Sequence, residues 1–166
     1  GFKSPLSHHL TFPSPCPLPY NRDNDPSIRS ISDHGKGAAA MSIEIKRIYD
    51  PVEAGDGKRI LVDRLWPRGM TKERAALYCW MKDIAPSQAL RVWFGHDPEK
   101  FDEFARRYTE EIDTDLTKQK AASQLLEIGR SERLTLLYAA RDTSINHALV
   151  IMNYLQKKLA DGSQTG

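Results

Sequence analysis

The stretch Arg59–Gly69, RILVDRLWPRG, decides how the rest of the chain is read. Ile60, Leu61 and Val62 are consecutive apolar β-formers, and Leu65 and Trp66 extend the run. Such a run suits a strand covered on both faces, as in a parallel sheet. Asp63 and Arg64 interrupt it. Successive strand side chains point to opposite faces, so these neighbours are not natural partners. Each needs a partner of its own, because an unpaired buried charge is costly. Pro67 holds Trp66 extended, and Pro67-Arg68-Gly69 closes the strand with a turn. Arg68 then stands in a loop at the carboxyl end of a strand, the edge where open parallel sheets bind ligands. One reading is an anion site with Arg64 and Arg68, in which Asp63 orients them or acts as a base. The other is a structural ion-pair network locking strand to helix, and the residues alone leave both open.

Working back toward the N-terminus, Ile43, Ile45 and Ile48 alternate with Glu44, Lys46 and Arg47, which predicts a strand with one wetter face. Gly55-Asp56-Gly57 reads as a flexible connection that permits either a hairpin or a crossover. Further upstream the composition changes. Residues 1–40 hold six of the ten prolines, many serines and few aliphatics, so they bury too little apolar surface to offset their ordering entropy. The expectation is a disordered extension over 1–40, with Met41-Ser42 as the natural start of a single domain over 41–160 and a flexible tail over 161–166.

Working forward, Thr71 can cap a short helix, and Ser87 can cap another that runs to Trp93-Phe94 with Leu90 inward. Asp97 followed by Pro98 is a helix start. Phe101, Phe104, Tyr108 and Ile112 recur at spacings of three and four and form one apolar stripe. A further helix over 117–128 places Ala121, Leu125 and Ile128 inward, with Gly129 as its stop. Leu134–Tyr138, LTLLY, reads as a buried strand. Asp142-Thr143-Ser144 caps the last helix, which carries Ala148, Ile151, Leu155 and Leu159 on one face. The order predicts an α/β fold: a small, mostly parallel sheet of about three or four strands flanked by five or so helices.

The strand–loop–helix LLYAARDTSINHA, residues 136–148, supplies a second half to the site. Backbone N–H groups at a helix start attract anions. Arg141 in the loop offers a planar fork suited to phosphate or carboxylate. Asn146 lies beside it, Asp142 serves as a cap or ligand-side group, and His147 is the proton-shuttle candidate. A single helical histidine also packs or bonds to backbone without any chemistry. Trp66, Trp80 and Trp93 serve either as core anchors or as a stacking platform. The Gly95-His96-Asp97-Pro98 turn accounts for His96 by geometry alone.

Composition narrows the classes. Lys and Arg number 24 against 22 Asp and Glu, a balance that argues against a general nucleic-acid or membrane-surface binder. No apolar run is long enough to span a bilayer. The two cysteines, Cys16 and Cys79, suggest neither a disulfide framework nor a zinc site, so a cytoplasmic setting is the default.

LVDRLWPRG, WFGHDP and LLYAARD followed by NHA together resemble the YeaO-like family of bacterial proteins, over nearly all of 43–158. The resemblance implies a small soluble α/β protein with no established reaction. Longer relatives carry Cys-Ala-Glu after the last strand and Cys-His-Arg at the following helix. The matching places here are Tyr138-Ala139-Ala140 and Asn146-His147-Ala148, so only the histidine is kept and a cysteine mechanism lacks its thiols. The chain has no glycine-rich cofactor loop of the kind a methyltransferase label would require, and no cofactor is assigned. The expected function is an enzyme or binder for a small anionic metabolite, phosphorylated or nucleotide-like. Arg64, Trp66, Arg68, Arg141, Asp142 and Asn146 would hold the ligand, and Asp63 and His147 would be the acid–base candidates. The alternatives are a non-catalytic interaction module and a weak nucleic-acid binder.

Overall fold

A computed structural model describes residues 42–163. The expected extension over 1–40, the start at Met41 and the end of the tail lie outside the described residues. Four strands form one parallel sheet in the order β1-β4-β2-β3, with β1 at Ile43–Arg47, β2 at Lys58–Leu61, β3 at Cys79–Trp80 and β4 at Leu134–Tyr138. Five α-helices accompany it: α1 at Lys72–Ala75, α2 at Gln88–Phe94, α3 at Phe101–Thr114, α4 at Leu116–Ser131 and α5 at His147–Ser163. This is the α/β arrangement that the order of elements predicts.

β4 is central because it is apolar on both faces. All five residues of LTLLY are buried, as expected of an inner parallel strand. Leu134, Leu136 and Tyr138 face the larger core, together with Leu90 and Phe94 of α2, Phe104, Tyr108 and Ile112 of α3, Leu125 of α4 and Ile151 and Leu155 of α5. Leu137 faces the other way, into a smaller cluster with Ile48, Leu61, Met70 and Ala75. The period of two along the strand thus divides the molecule into a thick helical layer and a thin one.

The connection between β1 and β2 is a crossover, since both strands run parallel to β4 and flank it. It is not a slack linker. Ala54–Asp56 forms a short 3₁₀ turn, and Asp56 is buried. Its carboxylate takes Arg59 at 2.6 Å and Lys46 at 3.1 Å. Arg59 also donates from Nε and Nη2 to the carbonyl of Ala75 at the end of α1. Burial opposes ionisation of Asp56, but the Glu53 backbone N–H and the Lys46 and Arg59 side chains outweigh it and hold its carboxyl below the usual range. Gly57 is needed where it stands. Its φ is +68°, and an added Cβ would meet the Arg133 carbonyl carbon at 2.8 Å.

The caps at Thr71, Ser87 and Asp97 form as expected: each side chain accepts a backbone N–H from the first turn it opens. Three expectations fail. β2 ends at Leu61, and the last ladder bond is Val62 N–H to the Leu137 carbonyl. Leu65 does not extend the strand but is 68% exposed, because the chain has turned into a loop by then. Gly129 does not stop α4, which runs on to Ser131. The helix runs on past it against β1 and β4, where a Cβ would stand at ordinary contact, 3.7 Å from Ile43 and 3.8 Å from Leu134. Asp142 does not cap α5. Its carboxylate accepts the Ser144 and Ile145 N–H groups in a turn, and Asn146 accepts the Leu149 N–H at 2.9 Å. Cys79 is buried. Among the described residues, no helix is long and apolar enough to cross a membrane.

Candidate functional site

Because the four strands are parallel, their carboxyl ends share one edge. β2 and β4 are neighbours in the sheet, so the loop after Leu61 and the loop after Tyr138 meet there. α2, entering from the helical layer, closes the third side. The result is a cleft of about 730 Å³. Its polar lining includes Asp63, Arg64, Arg68, Arg91, His96, Asn146 and His147.

The floor is built by backbone hydrogen bonds. Asp63 Oδ2 accepts the Ala139 N–H at 3.0 Å, which pins the β2 loop to the β4 loop. His147 Nε2 lies 3.1 Å from the Val62 carbonyl oxygen and 3.0 Å from Asp63 Oδ1. Both neighbours are acceptors, so Nε2 is the ring nitrogen that carries hydrogen. That hydrogen is aimed at the Val62 carbonyl. Asp63 Oδ1 sits off its line and, among the described residues, no aligned donor reaches it. Asp63 and His147 therefore form a close pair, as two groups from separate strand ends, but each is also fastened to main chain.

The cations behave differently. Most arginines of the described chain are engaged: Arg59 with Asp56, Arg106 and Arg107 with Glu103, Arg130 with Glu127, Arg133 with Glu44, and Arg47 with the carbonyls of Ala139 and Ala140. Arg64, Arg68 and Arg91 make no ion pair with any described residue, yet all three line the cleft. Arg91 Nε is also shut off from solvent, with no acceptor among the described residues. An unmade hydrogen bond at a buried donor costs about 1–3 kcal/mol.

Two tryptophans shape the wall. Trp66 donates Nε1–H to the Met70 carbonyl at 2.7 Å, and Trp80 donates to the Asp63 carbonyl at 2.7 Å. Their rings meet edge-on with centroids 5.4 Å apart. Trp66 lines the cleft. Trp93 faces elsewhere, beneath Lys100 and Arg107. Tyr49 donates its hydroxyl to the Arg68 carbonyl at 2.8 Å and so steadies that turn.

Of the residues singled out from sequence, the cleft brings together Asp63, Arg64, Trp66, Arg68, Asn146 and His147. Arg141 and Asp142 do not line it. Asp142 is occupied with the amides of its own turn, so that carboxylate already answers the positive start of α5. Arg91 was not anticipated. An arginine in a seven-residue helix reads as solvent-facing, and only the packing of α2 against α3 brings it to the cleft. Among the described residues, no group of three or more His, Cys, Asp or Glu side chains is arranged to hold a metal ion.

Residues 42–165 match the family model described as the inactive DUF488-N3 subclade. The chain is 43% identical over 116 residues to the uncharacterized protein YeaO of Escherichia coli (strain K12), covering 70% of this chain and 98% of that relative. It is 39% identical over 113 residues to the uncharacterized protein Rv3073c of Mycobacterium tuberculosis (strain H37Rv) and to Mb3100c of Mycobacterium bovis, covering 68% of this chain and 92% of each. No solved structure matches it. The motifs around Asp63, Trp93 and Tyr138 and these matches over the whole folded region agree, and the chain belongs to the YeaO-like group of the DUF488 family, in the subclade described as inactive.

Proposed function

We propose that the cleft binds a small anionic metabolite, phosphorylated or nucleotide-like, and holds it without chemical turnover. The observation that carries this reading is the set of three arginines, Arg64, Arg68 and Arg91, that line one cleft and have no carboxylate partner among the described residues. Guanidinium groups left free in a protein that pairs most of its others are suited to a bidentate anion. The non-catalytic half of the reading rests on three supports. The matched family is described as inactive. The two acid–base candidates, Asp63 and His147, are each tied to main chain at Ala139 and Val62, where they brace the floor of the cleft. The positions where longer relatives carry thiols hold Tyr138 and Asn146 here.

The test is a thermal-shift screen of nucleotides, sugar phosphates and inorganic phosphate, repeated on Arg68→Ala and Arg91→Ala. A ligand that binds only the native state raises its melting temperature by mass action. Removing one charge-assisted hydrogen bond costs about 1.5–3 kcal/mol, roughly a 10- to 150-fold loss of affinity, so the shift collapses in each variant. Anion-induced shifts that survive both substitutions, or no shift with any anion at millimolar concentration, overturn the reading. Conversion of the bound compound, followed by product analysis, overturns its non-catalytic half.

A further inference from the structure

We infer that the cleft takes an anion with an apolar body of aryl or acyl-chain size, rather than a bare inorganic or purely polar anion. This rests on the anion-binding reading above and names the class of ligand that would satisfy it. Few large apolar side chains of the described chain are strongly exposed. Two of them, Leu65 at 68% and Val92 at 73%, line this one cleft. They come from different elements: Leu65 from the loop after β2, Val92 from α2. The others, Val52, Tyr78 and Leu116, stand away from it. Leu65 and Val92 each lie within one residue of an unpaired arginine of the cleft, Arg64 and Arg91. Deeper in, buried Phe94 and Phe104 continue the apolar surface.

An inorganic anion would engage only the arginines and leave Leu65 and Val92 in water. An anion carrying a ring or a short chain covers both and removes apolar surface from solvent. The space available, about 730 Å³, far exceeds what phosphate alone fills and falls within the range of about 300–1,000 Å³ usual for organic ligands. Cations supply charge complementarity, and the apolar wall supplies the preference for one class of anion over another.

The probes are inorganic phosphate, phenyl phosphate and phenol, titrated by calorimetry against the full chain and against the double variant Leu65→Ser/Val92→Ser. Both side chains are largely exposed, so the double variant keeps its core. The expected result is that phenyl phosphate binds at least about tenfold more tightly than inorganic phosphate and that phenol alone binds weakly. In the double variant the ratio between the two phosphates falls to about one. Equal affinities in the unmodified chain overturn the inference while leaving anion binding intact. A tenfold ratio that survives the double variant also overturns it. If neither phosphate binds, the parent reading falls and takes this one with it.

Discussion

Asp63, an acid–base candidate from sequence, is tied into the floor of the cleft. Its Oδ2 accepts a main-chain N–H from the neighbouring strand's loop, and its Oδ1 sits 3.0 Å from His147 Nε2. Replacing it with alanine leaves the Ala139 N–H without its acceptor and frees the β2 loop from the β4 loop. Asp63→Ala is therefore expected to lower stability by about 1–3 kcal/mol, read as a fall in the urea midpoint with an unchanged slope. A variant as stable as the parent would mean that the dyad carries no structural load. Arg64 and Arg68 behave in the opposite way. Both are exposed and make no ion pair with a described residue, so on the proposed reading removing either is expected to change ligand response more than stability.

At the scale of elements, α4 shows how packing overrides a local signal. Glycine in a helix interior costs roughly 0.5–1 kcal/mol relative to alanine, and it commonly marks a helix end. Gly129 instead lies inside α4, where the helix passes close to Ile43 of β1 and Leu134 of β4. The space beside it is sufficient for a methyl group, because the nearest atoms stand 3.7 Å from an ideal Cβ, an ordinary contact. Gly129→Ala is therefore expected to stabilise the protein by about 0.5–1 kcal/mol, read as a rise in melting temperature. A loss of stability would show that the helix cannot shift even slightly against the sheet. Asn146 carries the complementary lesson at the start of α5. It replaces Asp142 as the cap because its side chain both accepts from Leu149 and donates to the Asp142 carbonyl, which closes the loop onto the helix.

For the molecule as a whole, the Asp56 cluster ties β1, the crossover, β2 and α1 into one unit through Lys46 and Arg59. Asp56 has its folded-state pKa lowered from an ordinary value of 3.8. Its contribution to stability is thus fully present above about that pH and is lost as the pH falls through the lower folded value. The acid limb of the melting-temperature profile, followed by circular dichroism from pH 2 to pH 6, is expected to flatten in Asp56→Asn. That variant is also expected to be less stable at neutral pH, because Arg59 keeps its place in the interior without a counter-charge. An acid limb identical in slope to the parent would assign acid unfolding to other carboxylates. The cluster lies at the amino end of β2, while the cleft lies at the carboxyl end. The sheet therefore keeps a closed ionic knot at one edge and open cations at the other.

The elements whose signals are local were legible in the residues. LTLLY carries a single threonine among apolar residues and reads as an inner strand, and the stripe Phe101, Phe104, Tyr108 and Ile112 reads as one face of a helix. Thr71, Ser87 and Asp97 announced their caps because capping needs one side chain and the amides two or three residues on. The same locality brought Asp63, Arg64, Arg68 and His147 into a single proposal, since parallel strands deliver all their carboxyl-end loops to one edge. What tertiary structure alone decided depends on distance through space. α2 turns Arg91 and Val92 into the cleft, the α5 loop keeps Asp142 and Arg141 out of its lining, and Gly129 remains helical against β1. β3, with two residues, was too short to show a period, and Asp56 read as part of a slack loop because its partners lie ten residues back and three residues ahead. A local pattern records what a residue prefers for itself and its neighbours along the chain. Which cations stay unpaired is settled only when every carboxylate has found its place in the folded molecule.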